Sequence, residues 1–557
     1  MGQEKVAFRQ AGANYKLGGH GGCMGVLSNM SQPTPNRAKA LLVLLVVVLA
    51  VAMYHPVGGY AFLNWDDDIY LQNNPHLRNG FTAASVDWAF TANLTHFSPH
   101  AEYWAPLTLL TRIADVQFFG ISPGAMHMTS VCLHALNAFL LARALHALTG
   151  AWWRSSVVAL LFLVHPQNIE PAVWLSARKD LVAATFLFLT LLAYAGYARK
   201  PGQGTYSVLL LAFVGALMAK PMAVSVPVLL LLLDFWPLKR WSSIDRAANV
   251  RLCAEKLPLV ILAGIAAGLA ILAQQDVGAM GSYPWSVRIS NAIYATATYV
   301  RRAVWPEDLC IFYPHTGRAL SSGMIAACLA VPVVLTALAV WQIRKRPVVA
   351  FGWLWFLVGL APVIGLVQVG RQAMADRYFY TTGIGLFIAA VWIGAELIRS
   401  QVAKRAIAAI GIVALTVCSI FQVRFWRDSG TAFERAVSVT ERNAVAHGNL
   451  GSFYFVGGEL ERAKSHIMTS LSLEPFQFTA WNNLGAVEAR LDRVSAAIHA
   501  YERAVLLDQK SAKAHFYLGR LLVQSGREDE AIPLLLRASE LAPAWDEPTK
   551  LLSELRR

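Results

Sequence analysis

Apolar runs of membrane-spanning length alternate with short polar loops from about residue 40 to residue 423, and amphipathic segments of a soluble type follow. The runs lie near 40–57, 124–148, 155–165, 181–198, 205–219, 222–237, 257–273, 323–342, 348–368, 378–397 and 405–423. A bilayer core offers no water to unpaired N–H and C=O groups, so each run is expected to be a helix. Segment 288–305 has helical spacing but carries Arg288, Asn291, Arg301 and Arg302, and reads as an interfacial or re-entrant helix. The expected fold class is all-α: a polytopic helical membrane domain of about eleven spans, then an α-solenoid.

The solenoid is legible as a repeat. Leu450-Gly451, Leu484-Gly485 and Leu518-Gly519 recur at 34-residue intervals, as do Ala463, Ala497 and Ala531. Asn449-Leu450-Gly451, Asn483-Leu484-Gly485 and Tyr517-Leu518-Gly519 mark the first helix of each unit, where small residues let helices pack closely. This is the tetratricopeptide pattern, with repeats at about 443–476, 477–510 and 511–544 after a partial helix near 429–441. The domains expected are a cytoplasmic tail over 1–38, a membrane domain over 39–423 and an extracytoplasmic repeat domain over 424–557.

Composition agrees: 56% of the 557 residues are hydrophobic and 15% charged, which excludes an ordinary soluble protein. The net charge of +14 reads as cytoplasmic anchoring charge. No basic stretch is interleaved with aromatics, so no nucleic acid is expected as a partner. The six cysteines are scattered without metal-ligand spacing, and neither a disulfide nor a metal site is expected. The basic tail (Lys5, Arg9, Lys16, Arg37, Lys39) places the N-terminus in the cytoplasm. The loops with Arg199-Lys200, Lys239-Arg240 to Lys256, Arg344-Lys345-Arg346 and Arg399 to Arg405 then also face inward, provided that 288–305 does not cross. An odd number of spans puts the repeats on the outer side.

The same count gathers a chemically active set on the outer face. It comprises the triplet Asp66, Asp67 and Asp68, then His165-Pro166 with Glu170, Arg178-Lys179-Asp180, Lys220-Pro221, Arg371, and Asp376-Arg377-Tyr378. Ionisable groups at span ends are costly unless they pair or bind a ligand. Carboxylates beside cations suit a transfer in which a general base takes a hydroxyl proton while Arg and Lys hold a departing phosphate. No nucleotide-phosphate loop or dinucleotide fingerprint occurs, so a donor delivered within the membrane is expected. A divalent cation on the aspartate triplet is the competing reading. Without a second outward carboxylate cluster, no cofactor is expected to be required.

An ordered series of motifs then carries a resemblance. Asn64-Trp65-Asp66-Asp67, Tyr103-Trp104-Ala105-Pro106-Leu107-Thr108, His165-Pro166 through Glu170 and Arg178, and Lys220-Pro221-Met222 through Asp234 belong to it. Trp305-Pro306 through Tyr313-Pro314, and Ala375-Asp376-Arg377-Tyr378, complete it. From about residue 40 to the end the chain resembles the GT-C membrane glycosyltransferases joined to tetratricopeptide repeats, whose animal members are transmembrane O-mannosyltransferases. The resemblance implies a polyprenyl-phosphate-sugar donor, an inverting transfer to a hydroxyl acceptor, and a catalytic base in the first outer loop. By position the base is Asp66 or Asp67, with Asp67 preferred. Arg178, Lys220, Arg371 and Arg377 match places that hold the carrier phosphate, while Asp68, His165, Glu170 and Tyr378 match pocket-shaping positions. Two departures stand out: Asp68 extends the acidic pair, and Gln167-Asn168 stands where relatives often carry a second histidine.

The function expected is therefore transfer of a sugar from a polyprenyl-phosphate carrier to a protein hydroxyl, with the repeats recruiting a secreted or envelope protein. The setting is a multi-pass protein of the bacterial cytoplasmic (inner) membrane, with the bilayer as a further partner. The alternatives are transfer to a lipid-linked or envelope glycan, and a membrane-anchored repeat scaffold without activity. A scaffold needs one or two spans, not a bundle with ionisable groups gathered on one face.

Overall fold

The computed structural model describes residues 35–95, 98–101, 103–242, 244–276, 283–315, 320–367 and 370–555. The chain divides into two units, Met1–Leu44 and Leu45–Arg557. The aspartate loop, the later apolar helices and the repeats all belong to the second unit. The tail expected over 1–38 lies, as far as residue 34, outside the described residues.

Every apolar run read from the sequence contains a helix, although in the run at 348–368 the helix ends at Leu360. Among the described residues, six helices have the length and composition to cross a bilayer: Asn36–Gly59, Pro123–Thr149, Leu175–Arg199, Arg246–Ala273, Ser322–Gln342 and Gln401–Arg424. A seventh span forms if Asp376–Thr382 and Ile384–Leu397, bent by 52° at their junction, cross together. Four more apolar helices, Trp152–Val164, Gln203–Ala219, Pro221–Phe235 and Pro347–Leu360, are shorter. At about 1.5 Å per residue they fall short of a hydrocarbon core of about 30 Å. Among the described residues, helix length and composition thus give six spans, or seven, and do not by themselves confirm eleven. The helix Trp285–Val304 is not among them. Its polar side chains brace the segment beside it instead: Asn291 Nδ2 donates to the Ala373 carbonyl at 2.8 Å, and Tyr299 Oη to that of Ala375 at 2.8 Å.

Proline sets where several helices stop. His165 and Lys220 each precede a proline and adopt extended backbone (φ −73°, ψ 128° and φ −160°, ψ 132°). The proline ring disfavours helical geometry in the residue before it, so the side chains at these positions leave the helix surface at its end. At one close crossing of two apolar helices, both carry glycine. A Cβ on Gly352 would lie 2.4 Å from the Gly385 carbonyl oxygen, and one on Gly385 would lie 2.3 Å from that of Gly352. Backbones meet there directly, the small-residue packing that replaces hydrophobic driving force in lipid.

Between the first two long helices the chain forms a small core of its own. Leu71, Leu77, Trp88, Leu109, Ile113 and Val116 pack there with Met126 and Leu175, and so fix the aspartate loop on the bundle. A two-residue antiparallel pairing sets Tyr313 opposite Met374, which adds a minor β element that the all-α reading did not contain.

The repeats are helix pairs: Ala444–Val456 with Leu460–Leu473, Phe478–Arg490 with Val494–Leu507, and Ala512–Gln524 with Glu528–Leu541, closed by Glu547–Leu555. The recurring glycines face the second helix of their own unit. A Cβ on Gly451 would meet Ile467 at 2.5 Å, and one on Gly485 would meet Tyr501 at 2.7 Å. Only hydrogen fits at these crossings. The helix Ser429–Val439 joins this array to the last long apolar helix.

Candidate functional site

The aspartate loop reaches the repeats directly. The Asn64 N–H donates to Ser429 Oγ at 2.8 Å, Asn64 Nδ2 donates to the Asn449 carbonyl at 3.0 Å, and the Ala61 N–H donates to the Arg427 carbonyl at 3.0 Å. A cavity of about 510 Å³ opens where they meet. Trp65, Asp66, Tyr70, Trp174 and Arg377 line it from the membrane-helix side, and Gly448, Asn449, Ser452, Gln477 and Asn483 from the repeats.

The three aspartates have three different fates. Asp66 lies on the cavity wall, at a left-handed φ of 70° that few non-glycine residues adopt and that turns its carboxyl out of line with its neighbours. Its pKa is raised, chiefly because burial disfavours the charged form. Lys179 and Arg377 act against that, as does Arg112, whereas Asp68 adds to it. Asp67 is fully buried and its carboxylate is engaged on both oxygens. Oδ2 accepts the Leu63 N–H at 3.1 Å, while Oδ1 accepts the Ser176 N–H at 3.0 Å and the Ser176 hydroxyl at 2.5 Å. Burial pushes its pKa up to about 7 despite these bonds. Asp67 thus clamps the loop to the turn at 175–177, and Arg112 Nη2 braces the same turn through the Ser176 carbonyl at 3.1 Å. Asp68 begins the turn Asp68–Gln72 and is not on the cavity wall. Of the two candidates for the base, Asp66 is the one on the cavity wall, while Asp67, the preferred one, is engaged on both oxygens.

The cations divide in the same way. Arg178 points into the protein, where it pairs with Asp115 and donates to Ser130 Oγ at 3.2 Å and to the Met126 carbonyl at 2.5 Å. Its partners are all structural. Its neighbour Lys179 takes the other direction, with Nζ 5.5 Å from the Tyr103 ring centre and 5.9 Å from that of Trp174. Lys220 Nζ bonds Asp180 Oδ1 at 2.5 Å, beside a narrow cavity of about 40 Å³ walled by Ala183, Ala184, Leu187, Leu229 and Trp355. Arg377 Nη1 pairs with Glu170 Oε1 at 2.6 Å, and its guanidinium lies over the rings of Trp174 and Tyr378, 5.1 Å from each. Arg371 lines the main cavity and forms an ion pair with Glu474 of the first repeat.

The remaining expected residues are supports. Glu170 accepts the Arg377 backbone N–H at 2.8 Å as well as its side chain. Burial raises its pKa and Arg377 opposes the rise. Tyr378 Oη accepts from Gln372 Nε2 at 3.0 Å. His165 is fully buried, between Phe379 and Phe387, with Nε2 3.2 Å from the Ala303 carbonyl oxygen and Nδ1 accepting the Gln167 N–H at 3.3 Å. Burial lowers its pKa to about 4, which keeps the ring neutral. Asp376 is held by Tyr313 Oη at 2.8 Å and faces Arg302 at 3.6 Å.

Sequence reasoning placed Lys179 in the charged outer-face set without giving it a role, and did not single out Tyr70, Trp174, Ser452, Asn449 or Asn483 as site residues. A signal for the last two was present, since both stand before the recurring Leu-Gly. Among the described residues, no three potential metal ligands converge.

A tetratricopeptide-repeat family model matches residues 482–544. The chain is 24% identical over 490 residues to human protein O-mannosyl-transferase TMTC1, covering 76% of this chain and 54% of that protein. With human protein O-mannosyl-transferase TMTC4 it is 23% identical over 479 residues, covering 75% of this chain and 64% of the relative. The chain thus spans between about half and two thirds of the length of these curated relatives. A crystal structure of MamA, 24% identical, covers 21% of this chain and 68% of its own, with a TM-score of 0.21 that carries no argument about fold.

Proposed function

We propose that this chain is an inverting membrane glycosyltransferase that moves a sugar from a polyprenyl-phosphate carrier to a hydroxyl of a protein, with Asp66 as the general base. One observation carries the reading. A carboxylate with a raised pKa stands on the wall of a cavity shared by the membrane helices and the repeats, and cations lie beside it. The similarity to proteins named protein O-mannosyl-transferases supports the reaction class.

In the proposed step the acceptor hydroxyl oxygen attacks the sugar C1 as its proton passes to Asp66. The bond from C1 to the phosphate oxygen breaks, and its electron pair leaves with the carrier phosphate. A carboxylate of raised pKa is the better base for a hydroxyl, because its conjugate acid is closer in strength to the proton being taken. Lys179 and Arg377, which already act on Asp66, face the charge that grows on the phosphate. Arg377 changes partner in part, from Glu170 to phosphate, and its planar guanidinium is suited to both. Lys220 and the apolar walls of the narrow cavity suit the head and first units of an isoprenoid chain. The extracytoplasmic setting and the membrane-borne donor belong to the same proposal; the loop charges support that setting when the shorter apolar helices are counted as crossings too.

The test is glycoprotein profiling by mass spectrometry of a host that lacks the gene, complemented with the wild type or with Asp66→Asn. The wild type is expected to restore every glycopeptide lost on deletion, and Asp66→Asn to restore none. Full restoration by Asp66→Asn at normal protein level removes Asp66 as the base.

A further inference from the structure

The first repeat holds a titratable cluster that the proposed transfer does not use. His447, on the helix Ala444–Val456, and His466, on the helix Leu460–Leu473, bring their Nδ1 atoms to 3.0 Å. Both rings are half-buried. Tyr454 stacks on the His466 ring at 5.5 Å between centres, and the Arg462 guanidinium lies over Tyr454, 3.9 Å from its ring centre. From the helix Ser429–Val439, Glu434 accepts the Tyr454 hydroxyl proton at 2.5 Å, and Arg462 donates to the same hydroxyl at 2.5 Å. On the next helix, Phe478–Arg490, Glu488 is taken by Lys464 at 2.7 Å. The charges that act on the two imidazoles are therefore Arg462 and Glu434.

A bond between two Nδ1 atoms needs a proton on one and a bare lone pair on the other. Two neutral rings satisfy it, and so does a pair with one extra proton, which the donor ring takes on Nε2. A second proton ends it, because both Nδ1 atoms then carry hydrogen and two cations face each other at 3.0 Å. Burial lowers the pKa of both rings; His466 lowers that of His447 further, Arg462 lowers that of His466, and Glu434 opposes Arg462. The sign follows: separated rings take up protons more readily than paired ones, so acid favours separation as pH falls through the ordinary histidine range. The helix that carries His447 is also a wall of the cavity. Val445, Gly448, Asn449 and Ser452 line it, and the Asn449 carbonyl holds Asn64 of the aspartate loop.

We propose that His447 and His466 are an acid-sensitive pin: it holds the two helices of the first repeat together while one Nδ1 stays bare, and it opens when both rings are protonated, loosening the repeat-side wall of the cavity. Glu434 couples the pin to the helix that joins the repeats to the last long apolar helix. The opening is a property of the first repeat alone; only its consequence, a site that loses its acceptor-side wall in acid, rests on the proposed function.

The test is hydrogen exchange read by mass spectrometry on the full-length protein in lipid nanodiscs, without donor or acceptor. It compares about pH 7.5 with about pH 5.5, on either side of the ordinary histidine range, with exchange times scaled for the intrinsic amide rate. Protection across 444–473 is expected to fall by about 10-fold or more in acid, because each linked proton changes an opening equilibrium by up to about 10-fold per pH unit. The helix Glu528–Leu541, which carries no histidine, is the internal reference and should change by less than about 3-fold. The double variant H447Q/H466Q, whose amides still bond but do not titrate, should lose the acid effect. Glu434→Gln keeps an acceptor for Tyr454 but removes the anion that favours a charged His466, and should move the midpoint of opening to higher pH. Wild-type protection equal at both pH values overturns the pin, as does an acid loss that survives in H447Q/H466Q or a midpoint unmoved by Glu434→Gln. Acid opening in a protein that transfers no sugar from the carrier refutes the glycosyltransferase reading and leaves the pin intact. Transfer by a protein whose first repeat is equally protected at both pH values does the reverse.

Discussion

Adjacent aspartates carry opposite duties here, and the cause is local geometry joined to a distant partner. Asp67 is spent on Leu63 and on Ser176, 109 residues away. Asp66 is turned out by its left-handed backbone. Neither fact can be read from three identical letters, which is why the sequence left the base between two residues. Arg178 and Lys179 repeat the lesson: one step along a helix rotates the side chain by about 100°, so one cation braces Asp115 and the next lies against the rings of Tyr103 and Trp174. The raised pKa of Asp67 has a sign that can be checked. Between about pH 4 and pH 7 the folded state holds a proton that the unfolded state has released, so stability falls as pH rises through this window. Asp67→Asn is expected to flatten that dependence and, since an amide nitrogen cannot accept both sets of bonds, to cost about 1–3 kcal/mol at low pH. Thermal unfolding followed across pH measures both. For catalysis the sign is the opposite: the base works only when ionised, so the rate rises with pH through the raised pKa of Asp66. Lys179→Met removes a cation that holds that pKa down and is expected to move the acid limb of kcat/KM to higher pH. A limb that does not move would separate Lys179 from the base.

Helices were the most legible elements, because their signals are local. The 34-residue interval located the repeats, and the glycines that mark it face Ile467 and Tyr501 across a helix crossing. Proline after His165 and Lys220 announced two helix ends. The contact of Gly352 with Gly385 was not legible, because nothing in either segment says which apolar helix it will meet. Gly385→Leu is expected to force those two helices apart, with a loss of several kcal/mol by overpacking against backbone. A drop in folded yield in detergent, absent for the unconstrained Gly411→Leu, checks this. Span number was less legible than span position. Short apolar helices satisfy the pattern and yet fall below the thickness of a bilayer.

At the scale of the molecule, the repeats are a wall of the site and not a remote recruiting arm. The ion pair of Arg371 with Glu474 is not what holds them there: its side chains are 58% and 43% exposed, and such pairs are worth about 0–1 kcal/mol. Glu474→Gln is accordingly expected to shift thermal stability by less than about 1 kcal/mol. The bonds of Asn64 to Ser429 and to Asn449 are better shielded, and Asn64→Ala is expected to lower transfer without altering the donor site. The most direct measurement of the central claim is the single-turnover rate of sugar transfer from radiolabelled carrier lipid, by purified Asp66→Asn, Asp67→Asn and Asp68→Asn proteins of equal folded content. The account predicts a loss of about 10²-fold or more for Asp66→Asn, the range expected when a general base is removed, with Asp68→Asn near the wild-type rate. Asp66→Asn at wild-type rate, with the loss falling instead on folded Asp67→Asn, would contradict it.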